Sequence, residues 1–283
     1  MLYKGRTDLA TESFRQFGED AAGLTEKQGI IAREGKLHGL GLMSVEITSE
    51  EGARVLGKPI GKYFTLDMPE HFERGAEQFG AAAEAVAELI RRCHGDGTKV
   101  LTAALGNPDI TPDALGSLAA GSIIVTKHLK ESMPADFAAF ASMALCRPGV
   151  LGSTGIESAR QVALLCGELK PELLIVIDAL AGSDMERLCR CIQISDSGIS
   201  PGSGVGNDRQ ELSEKSMGMP VVSIGIPTVI DAGIIGGENL GGMFVCPRSI
   251  DSLVRAGARV IAYGVNLAVH RGISLSDIDM LIG

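Results

Sequence analysis

The chain has no tryptophan, and aromatic residues make up only 4% of its 283 positions. That scarcity weighs against the stacking platforms with which proteins hold single-stranded nucleic acid. Positive charge is also in short supply, with 26 Lys and Arg against 35 Asp and Glu and a formal net charge of −9. A chain of that sign suits phosphate backbones poorly, so no direct nucleic-acid partner is expected. No apolar run has the length of a bilayer span, and residues 1–10 are too polar for a signal peptide. The expectation is a cytoplasmic protein with no membrane partner. Cys93, Cys146, Cys166, Cys189, Cys191 and Cys246 are scattered, and the one close pair, Cys189-x-Cys191, has no second pair or nearby His to complete a zinc set. Small thiols in a reducing compartment are expected, with no metal and no cofactor.

What the chain does have is glycine, 37 residues of it, and short runs of Val, Ile, Leu and Ala. That composition suits buried parallel strands joined by tight βα turns. Residues 1–37 are polar and Gly-punctuated and predict a mobile arm. Apolar spacing predicts strands at Leu40–Thr48, Lys62–Leu66, Lys99–Leu105, Ser122–Thr126, Leu173–Ile177 and Pro220–Ile226. Helical spacing is found over Glu70–Cys93, Glu157–Leu169, Ser183–Cys189 and about Ile250–His270. Strands apolar on both faces and alternating with helices predict one α/β domain, a mostly parallel sheet covered on both sides.

Open sheets of this kind gather functional groups beyond the carboxyl ends of their strands. Two aspartates belong there. Asp178 directly follows LLIVI, and Asp113 lies in the turn LGNPDITPDALG (105–116), where Pro112 is suited to the first turn of a helix. Each has an ordinary structural role open to it: Asp113 as a helix-start residue favoured by the dipole, Asp178 as the first residue of a loop. As a pair at one cleft they cannot both ionise cheaply, which leaves one acid and one base. Such a pair can activate water and protonate a leaving amine, or it can hold a metal ion; residue types alone leave both open.

RTDLA (6–10), LGNPDITPDALG (105–116), VTKHL (125–129), RPGVLGSTGIES (147–158), IVIDALA (175–181), IQISDSGISPGSGVGNDR (192–209) and MPVVSIGIPTVIDA (219–232), with the final helix, resemble the germination proteases of endospore-forming bacteria. The resemblance runs along nearly the whole chain and in order. It implies an endopeptidase that starts the degradation of small acid-soluble spore proteins at germination, in the forespore or spore core. It also implies a three-layer α/β/α sandwich similar to the hydrogenase maturation endopeptidases, a homotetramer, and Asp113 and Asp178 as the catalytic pair of an atypical aspartic peptidase. One departure stands out: between Asp231 and Met243 the family carries a much longer segment, whereas this chain has only a short Gly-rich stretch.

The resemblance further implies a zymogen that removes a short N-terminal piece itself. Its substrates are cut after an acidic residue that follows Ser or Thr and precedes an aliphatic residue and Ala. Arg6-Thr7-Asp8-Leu9-Ala10 fits, with the cut between Asp8 and Leu9. Residues 1–8 are then a candidate propeptide and 9–283 a single α/β/α peptidase domain. The arm is expected to cover the cleft, with Lys4 and Arg6 near the carboxylates. Other signals are weaker. SPGSGVGN (200–207) lacks the Gly-Lys-Ser/Thr ending of a phosphate loop and is expected to be a backbone-rich turn near the cleft. Ser203 and His128 have no nucleophile-elbow context for a triad, and Glu157 is expected to start a helix. Two alternatives remain at this level: a metal-dependent endopeptidase of the hydrogenase-maturation type, and a non-catalytic protein that binds spore proteins.

Overall fold

The computed structural model describes residues 6–16, 28–95, 97–206 and 209–282. Nine strands form one sheet: β1 Ile30–Leu37, β2 Leu40–Ile47, β3 Gly61–Asp67, β4 Lys99–Ala104, β5 Ser142–Cys146, β6 Leu173–Gly182, β7 Cys191–Ser195, β8 Val221–Asp231 and β9 Phe244–Val245. Their order is β1-β2-β3-β7-β8-β6-β4-β5, with β9 pairing beside the end of β8. Among the described residues, helices of five residues or more are α1 Ala10–Arg15, α2 Glu50–Leu56, α3 Phe79–His94, α4 Leu115–Ala119, α5 Lys127–Ser132, α6 Ser158–Leu169, α7 Ile250–Val269 and α8 Leu275–Ile282.

Alternation along the strands builds the layers. Leu173, Ile175 and Ile177 of β6 point to one face, where α3, α4 and α7 pack with Val86, Leu89, Val260 and Ile261. Leu174 and Val176 point to the other face and meet Val162 and Cys166 of α6. Further along that second face, α1 and α2 cover Ile30, Met43, Val45 and Tyr63. This is the α/β/α sandwich expected from the sequence. The sheet itself is mixed, however. Parallel pairing is confined to β5-β4-β6-β8, and every other neighbour pair is antiparallel.

Several expected elements take another form. SIIVT (122–126) is not a strand: Ile124 N–H donates to Asn266 Oδ1 of α7 (2.9 Å), and the edge position beside β4 is taken by β5. The helix expected from Glu70 begins at Phe79, after turns through Gly75, whose φ of +102° no helix accommodates. Ser183–Cys189 is a run of turns, held where Arg187 Nη1 meets Asp67 (3.3 Å). Asp178 does not end its strand, because β6 continues to Gly182 with a register shift between Leu180 and Ala181. The short segment after Asp231 closes tightly, with the Asp231 carboxylate accepting from Gly233 N (2.8 Å) and Gly242 N (3.2 Å).

The expected mobile arm is corrected most. Residues 30–37 are β1, whose two-residue turn His38-Gly39 has both φ values positive, as a tight hairpin requires. Residues 6–16 lie against the body, and Leu9, Ala10, Thr11, Glu12 and Ser13 are buried. Burying Leu9 against Leu180 and Cys191 contributes roughly 1.5–3 kcal/mol, enough to oppose detachment.

Candidate active site

The turn after β4 is built to aim a carboxylate. Gly106 takes φ +94°, and a Cβ there would stand 1.9 Å from the carbonyl oxygen of Asp113. The chain therefore folds back on itself at a place only glycine allows. Asn107 caps the loop: its Oδ1 accepts from Asp109 N (3.0 Å), and its own N–H donates to Asp113 Oδ2 (2.8 Å). Thr111–Asp113 then makes a single 3-10 turn, whose Pro112 carbonyl accepts from the Thr228 hydroxyl of β8 (2.6 Å).

Asp178 stands on β6, between β4 and β8, and is buried. Its Oδ1 accepts from Ala179 N–H (3.0 Å). Asp113 and Asp178 line the same cleft of about 410 Å³, together with Asp8, Glu157, Arg209 and Thr228. Burial pushes the Asp178 carboxyl well above the ordinary aspartate range, and the charges of Asp113 and then Asp8 push it the same way. Burial also raises Asp113, against the opposing N–H of Asn107. The Asp113 charge thus opposes ionisation of Asp178 across the cleft.

The segment Thr7–Ala10 reaches this cleft at Asp8. Asp8 N–H donates to Ala181 O (2.9 Å), and the Asp8 carboxylate accepts from Ala181 N–H (2.8 Å) and the Ser203 hydroxyl (2.8 Å). The Asp8 carbonyl accepts from Gln193 Nε2 (3.1 Å), while Gln193 Oε1 accepts from Ala10 N–H (2.8 Å). Lys58 Nζ donates to the Thr7 carbonyl (2.7 Å). Burial lowers the Lys58 pKa, and the nearby Asp8 and Glu12 carboxylates oppose that shift. The Thr7 hydroxyl donates to Glu12 Oε2 (2.5 Å), which also accepts from Ser183 N–H (2.6 Å).

Of the weaker sequence signals, the 200–207 turn does border the cleft through Pro201, Gly202 and Val205. Ser203 is engaged with Asp8, and His128 is exposed on α5, so the two form no triad. Glu157 stands at the start of α6 without a side-chain cap bond and pairs with Arg209 (3.5 Å) across the cleft wall. Lys4 lies outside the described residues. Arg6 is exposed and rests against Gly206, and Lys58 is the cation beside the Asp8 segment. Among the described residues, no group of three or more His, Cys, Asp or Glu is arranged to hold a metal ion. Gln193, Lys58 and Arg209 were not singled out from the sequence. Gln193 alone left a signal there, as a polar residue inside the apolar run Cys191–Ile194.

The family model described as germination protease matches residues 7–244. A germination protease of Clostridium perfringens (strain ATCC 13124) is 33% identical, covering 99% of this chain and 100% of that protein. Its alignment spans 332 positions against 283 residues here, so the relative carries residues this chain lacks. The germination protease of Caldanaerobacter subterraneus subsp. tengcongensis is 36% identical, covering 98% of both chains. That of Priestia megaterium is 41% identical over 81% of this chain and 64% of its own. Among solved structures, a [NiFe] hydrogenase maturation protease, HycI from Thermococcus kodakarensis KOD1, is similar at 18% identity, with a TM-score of 0.35 over 62% of this chain and 98% of that one.

Proposed function

Because the chain belongs to the germination protease family, and is thus an endopeptidase of spore germination with protein substrates, we propose that Asp113 and Asp178 are its catalytic pair. In this reading one carboxylate takes a proton from the attacking water and the other protonates the leaving amine, an atypical aspartic mechanism. The observation that carries it is the convergence of two carboxyls with raised pKa on one cleft that already holds a stretch of main chain.

The same reading has the chain made as a zymogen that cuts its own Asp8–Leu9 bond. It then starts the degradation of small acid-soluble spore proteins in the cytoplasm of the spore core. The placement of Asp8 in the cleft supports self-processing, since the bond to be cut lies within a segment docked beside the pair. Burial of Leu9 supports this reading, since it holds the uncut segment against the body. Tetrameric assembly, implied by family membership, belongs to the same reading, and a solution mass other than four chains per particle would remove it.

Asparagine at either position tests the pair. Asp113→Asn and Asp178→Asn are expected to lower peptide cleavage by at least about 10³-fold while the fold persists, as loss of an essential acid or base does. Activity is expected to survive chelator. Wild-type rates in both variants, or abolition by chelator, would overturn the assignment.

A further inference from the structure

The docked segment shows how main chain is gripped. From Thr7 to Ala10 the backbone contacts come from three residues of the body: Lys58 on the Thr7 carbonyl, Ala181 on Asp8 N–H, and Gln193 on both Asp8 O and Ala10 N–H. None of these bonds depends on the side chain of the segment, so any extended peptide can repeat them.

Gln193 holds the most informative of these positions. Ala10 N–H can only donate, which fixes Oε1 toward Ala10 and the amide Nε2 toward the Asp8 carbonyl. Gln193, Gly225 and Asp178 stand in one row across three strands, in register, so the side chains at 193 and 178 rise from the same face. Gly225 between them has no side chain of its own, and the Leu180 side chain packs over it. A Cβ there would lie 2.6 Å from the Asp178 carbonyl oxygen and from Leu180 Cγ. Gln193 is itself buried, which strengthens a hydrogen bond to a developing charge.

We infer that Gln193 is a substrate-touching catalytic residue whose amide N–H stabilises the carbonyl oxygen of the bond being cut, while its own oxygen anchors the main chain two residues further on. This rests on the reading that the Asp8–Leu9 bond occupies the cleft as substrate. In the reaction the water oxygen bonds to the Asp8 carbonyl carbon and its proton passes to the ionised carboxylate. Negative charge gathers on Asp8 O, where Nε2 donates. The C–N bond then breaks as the protonated carboxyl gives its proton to the Leu9 nitrogen.

The full chain carrying Gln193→Ala or Gln193→Glu tests this through the first-order rate of its own Asp8–Leu9 cleavage, with Asp178→Asn as control. Glu keeps the acceptor for Ala10 N–H but loses the donor, so it separates donation from anchoring. Both variants are expected to slow that cleavage by about 100-fold, as loss of one oxyanion donor does. A purely anchoring Gln193 would instead be rescued by Glu. A Gln193→Glu rate within about twofold of wild type, with folding checked by thermal unfolding, overturns the inference while leaving the carboxylate pair standing. Wild-type cleavage by Asp178→Asn would overturn the pair instead, and an uncut wild-type chain would remove the reading on which both rest.

Discussion

At the scale of single residues, burial does the chemical work at Asp178. Its carboxyl is raised above the ordinary value of 3.8 first by desolvation, then by the Asp113 and Asp8 charges. The folded protein thus binds a proton there that the unfolded chain gives up, and the linked stability is full below about pH 3.8 and is lost as pH rises through the folded pKa. Across that window the loss is at most about 1.4 kcal/mol per pH unit. Asp178→Asn carries no ionisable group, so it is expected to unfold at a higher temperature than wild type at pH 7, with the difference vanishing near pH 3. Thermal scans at the two pH values check this. Both aspartates were visible in the sequence because each comes shortly after an apolar run. Lys58 and Arg209 were not, since their partners lie far along the chain and meet them only after the sheet assembles.

Among the elements, the turn 105–116 shows how one backbone position governs a site. Gly106 makes room for the Asp113 carbonyl, and Asn107 N–H holds the Asp113 carboxylate. Gly106→Ala is expected to cost about 1–3 kcal/mol in backbone strain and to displace Asp113. Unfolding in urea should show the loss, and peptide cleavage should fall even where the variant remains folded. Long, strongly periodic elements such as α6 and α7 were legible from spacing alone. SIIVT misled because β-branched residues favour extended backbone without requiring a ladder, and Asn266 of α7 satisfies Ile124 instead. The helix from Glu70 was overextended because Ala- and Glu-rich propensity carried on past Gly75, where tertiary pairing of Arg74 with Asp279 takes over (Nε–Oδ1, 3.0 Å).

For the whole molecule, the mixed sheet divides the labour. The parallel strands β4 and β6 present Asp113 and Asp178, while antiparallel β7 and the loop after α2 supply Gln193 and Lys58, which hold the docked segment. The layered class was legible from strands apolar on both faces. The antiparallel arrangement of the rest was not, because β1 carries too many polar residues to stand out and β7 is short. The N-terminal stretch was misjudged for a related reason: its polar side chains Thr11 and Glu12 are buried through hydrogen bonds to Thr65 and Ser183, which composition reads as exposure. What unites the halves is a cleft lined by two carboxyls, where the Asp113 charge helps to raise Asp178. Carbon-13 titration of the Asp113 and Asp178 carboxyls in the full chain tests that coupling directly. Asp178 is expected to stay protonated where ordinary aspartates have ionised, and Asp113→Asn is expected to lower its midpoint. Two independent titrations near pH 3.8, unmoved by that substitution, would contradict the account.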